Sequence, residues 1–133
     1  MLSKISGLVA IAAALPSAQA CLGHEGGVPV PTENIEISEP IYIRSGEVFD
    51  AGWAKYDRNP STCHEQQEGG ESDTAFVLES GATIRNVIIG ASVGEGIYCL
   101  GGGCNIEFAW FEDVCEDAIS VVSCRSTSIL GRY

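Results

Sequence analysis

The strongest constraint on this chain is that it resembles itself at an offset of 22 residues. Moving residues 84–98 forward by 22 lays Ile84 on Ile106, Val87 on Ala109, Ile89 on Phe111 and Ile97 on Ile119, and it lays Glu95 on Asp117. Apolar positions meet apolar ones, and an acid meets an acid. A period in the low twenties is that of a β-solenoid, in which each turn of chain stacks on the last and buries one face against it. The pattern covers one and a half repeats, so a meandering β-sandwich is the alternative from periodicity alone. Residues 75–78, 83–89, 96–100, 105–111 and 117–122 are strand-like runs between glycine-bearing turns, and none keeps a helical period. Before residue 72 the text changes. Residues 23–40 are turn-rich, residues 41–44 form a short strand-like run, and residues 57–71 are irregular, so loops are expected to dominate that half.

Stacking has an electrostatic consequence. Residues 22 apart in such a coil lie about 4.8 Å apart along the stack. Glu95 then lies beneath Asp117, with Glu116 beside it. Two carboxylates that close repel by about 1 kcal/mol in water and about 4 kcal/mol at a partly buried surface. Calcium, a hard ion that takes six to eight oxygens, is the natural partner for three such acids. Glu95, Glu116 and Asp117 are therefore the metal-ligand candidates, against the plainer alternative of solvated surface acids.

The compartment is written at the N-terminus. Residues 1–4 carry a positive charge, residues 5–15 are apolar, and residues 16–20 end in a small-x-small pattern. This is the form of a secretory signal peptide cleaved after Ala20, too short to cross a bilayer, and no later segment reads as a membrane span. Secretion leaves 113 of the 133 residues and, with Lys4 gone, moves the formal charge from −11 to −12. Eighteen acids against seven bases exclude a sequence-independent nucleic-acid binder. Cys21, Cys63, Cys99, Cys104, Cys115 and Cys124 all fall in the mature part. In an oxidising compartment they make up to three disulfides, and the 15 possible pairings stay open. A zinc site is disfavoured, because no C-x-x-C occurs and His24 and His64 lie far from the later cysteines.

Other motifs lack their partners. Residues 90–94 match G-x-S-x-G around Ser92, but both histidines precede it, and no helix is expected to follow. His64 and Glu65 begin an H-E-x-x-H that ends in Glu68. The three glycines at 101–103 lack the Lys and Ser/Thr of a phosphate loop and read as a tight turn. Trp110 reads as a coil residue, with exposure as a sugar platform the lesser alternative.

Three blocks carry a family resemblance. Residues 73–91 (DTAFVLESGATIRNVIIGA), 94–99 (GEGIYC) and 110–119 (WFEDVCEDAI) resemble secreted pectate lyases of polysaccharide lyase family three. The similarity runs over about residues 28–120, and the third block is its most specific part. Tyr98 stands where the family usually has His, and the interval from Cys99 to Cys104 is one residue longer than usual. The resemblance implies an all-β, right-handed, single-stranded parallel β-helix with about half of the family's coils. It also implies calcium-dependent β-elimination of polygalacturonate (pectate) in plant cell walls by a secreted monomer. Carried over by motif, Glu95, Glu116 and Asp117 are the calcium ligands, with Asp113 and Glu68 as further acids near the cleft. The family's catalytic Lys or Arg lies beyond the matching region, so no residue is assigned as the base. Residues 121–133 match neither the repeat nor the family and are read as the product of a retained intron or shifted frame, which leaves Arg125 and Arg132 without a catalytic role. A truncated inactive relative, or a disulfide-rich binding or effector protein, is the alternative to an active lyase.

Overall fold

The structure is a computed structural model that describes residues 28–65, 67–101 and 103–122. The segment read as a signal peptide, Cys21, Cys124 and residues 123–133 lie outside the described residues. Nine strands occur in chain order: β1 (Asn34–Ile37), β2 (Ile41–Ile43), β3 (Val48–Asp50), β4 (Lys55–Arg58), β5 (Thr74–Leu78), β6 (Thr83–Ile89), β7 (Glu95–Leu100), β8 (Asn105–Phe111) and β9 (Asp117–Val122). All of their pairings are parallel. One sheet runs β1-β4-β6-β8, with β3 against the first half of β6; the other runs β2-β5-β7-β9. Apart from β3 and β4, which follow one another in the first sheet, the chain alternates between the two, which makes a parallel β-solenoid of about four coils. A sandwich is excluded, because strands joined by hairpins would pair antiparallel. No helix among the described residues is long and apolar enough to cross a membrane.

The 22-residue step holds where it was read. Ile84 pairs with Ile106, Val87 with Ala109 and Ile97 with Ile119. Between β5 and β7 the step is 21, from Phe76 to Ile97, and between β2 and β5 it is 35, from Ile41 to Phe76. The excess is the loop of residues 59–73, which ends in a single 3₁₀ turn, Glu71–Asp73. This loop hides the repeat in the first half of the chain.

Loops dominate the first half as expected, but they join short strands that the text did not disclose: β1, β3 and β4 lie there, each of only three or four residues. Strands that short carry no readable alternation, and β4 is Lys-Tyr-Asp-Arg, a charged text that pairs because its neighbours in the stack supply the ladder. The last strand spans the strand-like run read over residues 117–122. Strand β9 continues through Val121, opposite Cys99, to Val122, opposite Leu100.

The core lies between the sheets. Phe76, Leu78, Ile84, Val87, Ile89 and Ile97 are buried in it, each such side chain stabilising by about 1.5–3 kcal/mol. Phe49, Tyr56 and Phe76 form an aromatic cluster at its first coils, with ring centroids 4.9–6.0 Å apart. Disulfides join Cys63 to Cys115 and Cys99 to Cys104. The first ties the 59–73 loop to the turn before β9.

Candidate metal centre

Glu95 opens β7 and Asp117 opens β9, and they are paired partners in the ladder. The turn that ends at Glu116 delivers a third acid, and carboxylate oxygens of Glu95, Glu116 and Asp117 all lie within 4.8 Å of one another. Two glycines make this approach possible. A Cβ on Gly94 would stand 2.4 Å from Thr62 O, and one on Gly96 would stand 2.3 Å from Ala118 O. Glu95 is therefore held between the 59–73 loop on one side and β9 on the other, with only 4% of its surface exposed. Thr62 fixes the loop further: its Oγ1 donates to Asp73 O at 2.8 Å and accepts from Gly94 N at 3.0 Å.

The acids line a cleft with Glu68, Gly69, Tyr98 and Ser120. Ser120 Oγ donates to Glu95 Oε2 at 2.6 Å and lies 3.4 Å from Asp117 Oδ2. Interaction with the Glu95 carboxyl, partial desolvation and the charges of Asp117, Glu95 and Glu68 raise Glu116 above the ordinary carboxylate value. An acid pushed up by its like-charged neighbours is a group that a divalent cation would relieve. The donor set is all hard oxygen, which fits calcium and offers nothing to a thiophilic metal.

Glu68 lines this cleft; Asp113 does not, and its Oδ1 instead accepts from Val114 N at 2.9 Å. Sequence reading missed Ser120 and Gly69 as parts of the site. Ser120 was detectable, since it lies 22 residues after Tyr98 and pairs with it. Gly69 had no such signal, because its loop stands outside the repeat. The set-aside motifs stay apart from any catalytic arrangement. Ser92 lies in the β6–β7 turn, where its N donates to Asp57 Oδ1 and its carbonyl accepts from Thr62 N, and His64 is exposed. Trp110 is 37% exposed, opposite Ile88.

Each described cation is engaged. Arg44 pairs with Glu79 at 2.6 Å, Lys55 with Glu112 at 3.2 Å and Arg85 with Asp50 at 2.9 Å. Arg58, 7% exposed, donates to Ser38 O, Ser72 O and Thr74 O. It joins the ends of β1 and β4 to the 3₁₀ turn and so holds the wall of the acid cleft from behind.

Comparison with known proteins agrees with the fold and the blocks. The pectate lyase family profile matches residues 25–131. A probable pectate lyase F of Aspergillus flavus is 58% identical over 121 residues, covering 91% of this chain and 50% of that protein. The probable pectate lyase F proteins of Aspergillus terreus and Aspergillus fumigatus are 58% and 53% identical, over 80% and 87% of this chain. The chain spans about half the length of these curated relatives. Matched over most of its length and coiled as a parallel β-solenoid, this chain belongs to the pectate lyase family.

Proposed function

We propose that this chain is a secreted, calcium-dependent pectate lyase of polygalacturonate, in which Glu95, Glu116 and Asp117 hold the ion. The observation that carries the reading is the meeting of these three carboxylates on neighbouring coils, one of them raised by the others, in an open cleft. Calcium held there would give a substrate carboxylate an electrostatic partner and offset the repulsion between an acidic protein and a polyanion. In β-elimination the C5 proton leaves, its electron pair forms the C4–C5 double bond, and the C4–oxygen bond breaks toward the departing sugar. The C5 proton is acidified by the adjacent carboxylate, so a partner for that carboxylate stabilises the charge that develops as the proton departs. In this arrangement Ser120 orients Glu95, Glu68 extends the acidic wall, and Tyr98 lines the cleft beside them.

The proton acceptor is assigned to none of the described residues, and this supports a second reading: calcium-dependent binding of pectate without turnover. The four described cations are all committed to carboxylates or carbonyls. Incubating the protein with polygalacturonate, and following the ultraviolet absorbance of unsaturated uronide with calcium and with chelator, separates the two. Calcium-dependent product supports the lyase. Retention on a pectate gel with calcium but no product supports the binding protein, and neither would sink both.

A further inference from the structure

The outward row of the second sheet runs through four coils. Tyr42 pairs with Val77, Val77 with Tyr98 and Tyr98 with Ser120. The acid cleft occupies the Tyr98–Ser120 end. A second cleft of about 550 Å³ opens at the Tyr42 end, lined by Glu39, Pro40, Tyr42, Arg58, Glu71 and Ser72. The volume is ample for a sugar unit. One loop walls both: Glu71 and Ser72 stand at the second cleft, Glu68 and Gly69 at the acid one. Tyr42 and Tyr98 are two coils apart, roughly 10 Å. Val77, between them, is fully buried and lines neither cleft, so the two open separately.

The chemistry of the two ends differs. Tyr42 is half exposed, and its hydroxyl donates to Glu71 Oε1 at 2.8 Å. Glu39 and Glu71 present acceptor oxygens, while Pro40 and the Tyr42 ring present apolar surface. The one cation in the wall, Arg58, has Nη1 and Nη2 on three main-chain carbonyls and Nε closed off from solvent without a partner. Arg44, 5.9 Å from the Tyr42 ring, is bound to Glu79. The cleft therefore offers no free fork to a ligand carboxylate and presents two negative groups against one. It suits a ligand that brings hydroxyl donors, an apolar ring face and no charge.

We propose that this cleft is a sugar subsite separate from the acid cleft and takes an uncharged pyranose unit, specifically a methyl-esterified galacturonate. The assignment of the sugar rests on the pectate reading above. Its test does not depend on calcium. Fully methyl-esterified and fully de-esterified trigalacturonides are titrated into the intact protein in chelator, with binding followed by chemical shifts or calorimetry. Two carboxylates facing a third across a solvated cleft disfavour it by about tenfold. The esterified ligand is expected to bind tighter by that factor, Tyr42→Ala to abolish its binding, and Glu39→Gln with Glu71→Gln to narrow the gap. Tyr42→Phe, which keeps the ring, is expected to retain part of the binding and guards against misfolding of the alanine variant. Equal or tighter binding of the de-esterified ligand in chelator, no binding of the esterified one, or binding indifferent to Tyr42→Ala in a folded variant overturns the proposal. Calcium-dependent binding of the de-esterified ligand is measured separately. If that fails while esterified binding persists, the metal reading falls and the sugar subsite stands.

Discussion

At the scale of single residues, the site is as much a matter of two missing Cβ atoms as of three carboxylates. Gly96 lies where any side chain would meet Ala118 O and the Phe111 ring, and the first of these is main chain that cannot swing aside. Gly96→Ala is expected to push β9 away from β7, costing about 1–3 kcal/mol by overpacking, and to weaken calcium binding by separating Glu95 from Asp117. Urea unfolding and a calcium titration on the same variant read both effects; unchanged values in both would contradict the packing argument. Glu116 gives a pH prediction. Its folded-state pKa lies above the ordinary 4.5, chiefly through its interaction with the Glu95 carboxyl. In the metal-free protein the folded state therefore holds more protons than the unfolded one between 4.5 and that raised value. The group's stabilising contribution is fully present below 4.5 and is lost as pH rises through the raised pKa. Asp50, held low first by Asn86, and Glu79, held low first by Arg44, act in the opposite sense and lose theirs as pH falls. The measurement is thus the difference in stability between the native chain and Glu116→Gln across pH in chelator. That difference is expected to change as pH rises from 4.5 through the raised pKa, and a flat difference would remove the argument that the neighbouring carboxylates raise Glu116.

At the scale of elements, the loop of residues 59–73 is the longest departure from a regular coil among the described residues, and it builds a wall of both clefts. Its anchor is the Cys63–Cys115 bond, which closes 52 residues, against 5 for Cys99–Cys104. By loop-closure entropy the long bridge stabilises by about 4 kcal/mol and the short one by about 2 kcal/mol. Replacing Cys63 and Cys115 by Ser is expected to cost roughly twice as much in unfolding free energy as replacing Cys99 and Cys104. It is also expected to lower calcium affinity, since Glu68 and Gly69 lose their tether. Equal costs would mean that the bridges act through native packing instead. The same loop explains what the text of the chain discloses. The last two coils were legible because nothing interrupts them, so Glu95 and Asp117 could be placed on neighbouring rungs from spacing alone. The first two were not, because the inserted residues stretch the step to 35 and the strands on either side are too short to show a period. The bend inside β6 and β8 was half legible. Asn86 and Phe108 both take positive φ, 52° and 56°, at equivalent places. Asparagine is at home there, but nothing in a phenylalanine announces a left-handed backbone. Disulfide pairing was not legible at all, since it depends on which loops the stack brings side by side.

At the scale of the whole molecule, charge decides how the fold answers to its solution. Eighteen acids against seven bases leave the chain at −11. Like charge is distributed over a narrow stack and concentrated at one cleft, so any cation should help, but not equally. Sodium screens charges beyond about 10 Å at 0.1 M and does little for carboxylates in direct contact. Magnesium insists on near-ideal octahedral geometry and gives up water reluctantly, whereas calcium tolerates irregular sets of six to eight oxygens. The cleft supplies three carboxylates from two coils, with Glu68 and the Ser120 hydroxyl beside them, an irregular arrangement. A ligand that binds only the folded state stabilises it by about 2.7 kcal/mol at a hundred times its dissociation constant. Thermal unfolding is therefore expected to shift upward most in calcium, less in magnesium at the same concentration, and least in sodium chloride of matched ionic strength. Glu95→Gln should remove the calcium increment while leaving the sodium increment in place, because it deletes one oxygen donor's charge but scarcely changes the net charge. If sodium chloride at matched ionic strength reproduces the calcium shift, the stack feels only bulk screening, and the three carboxylates are surface acids that happen to meet.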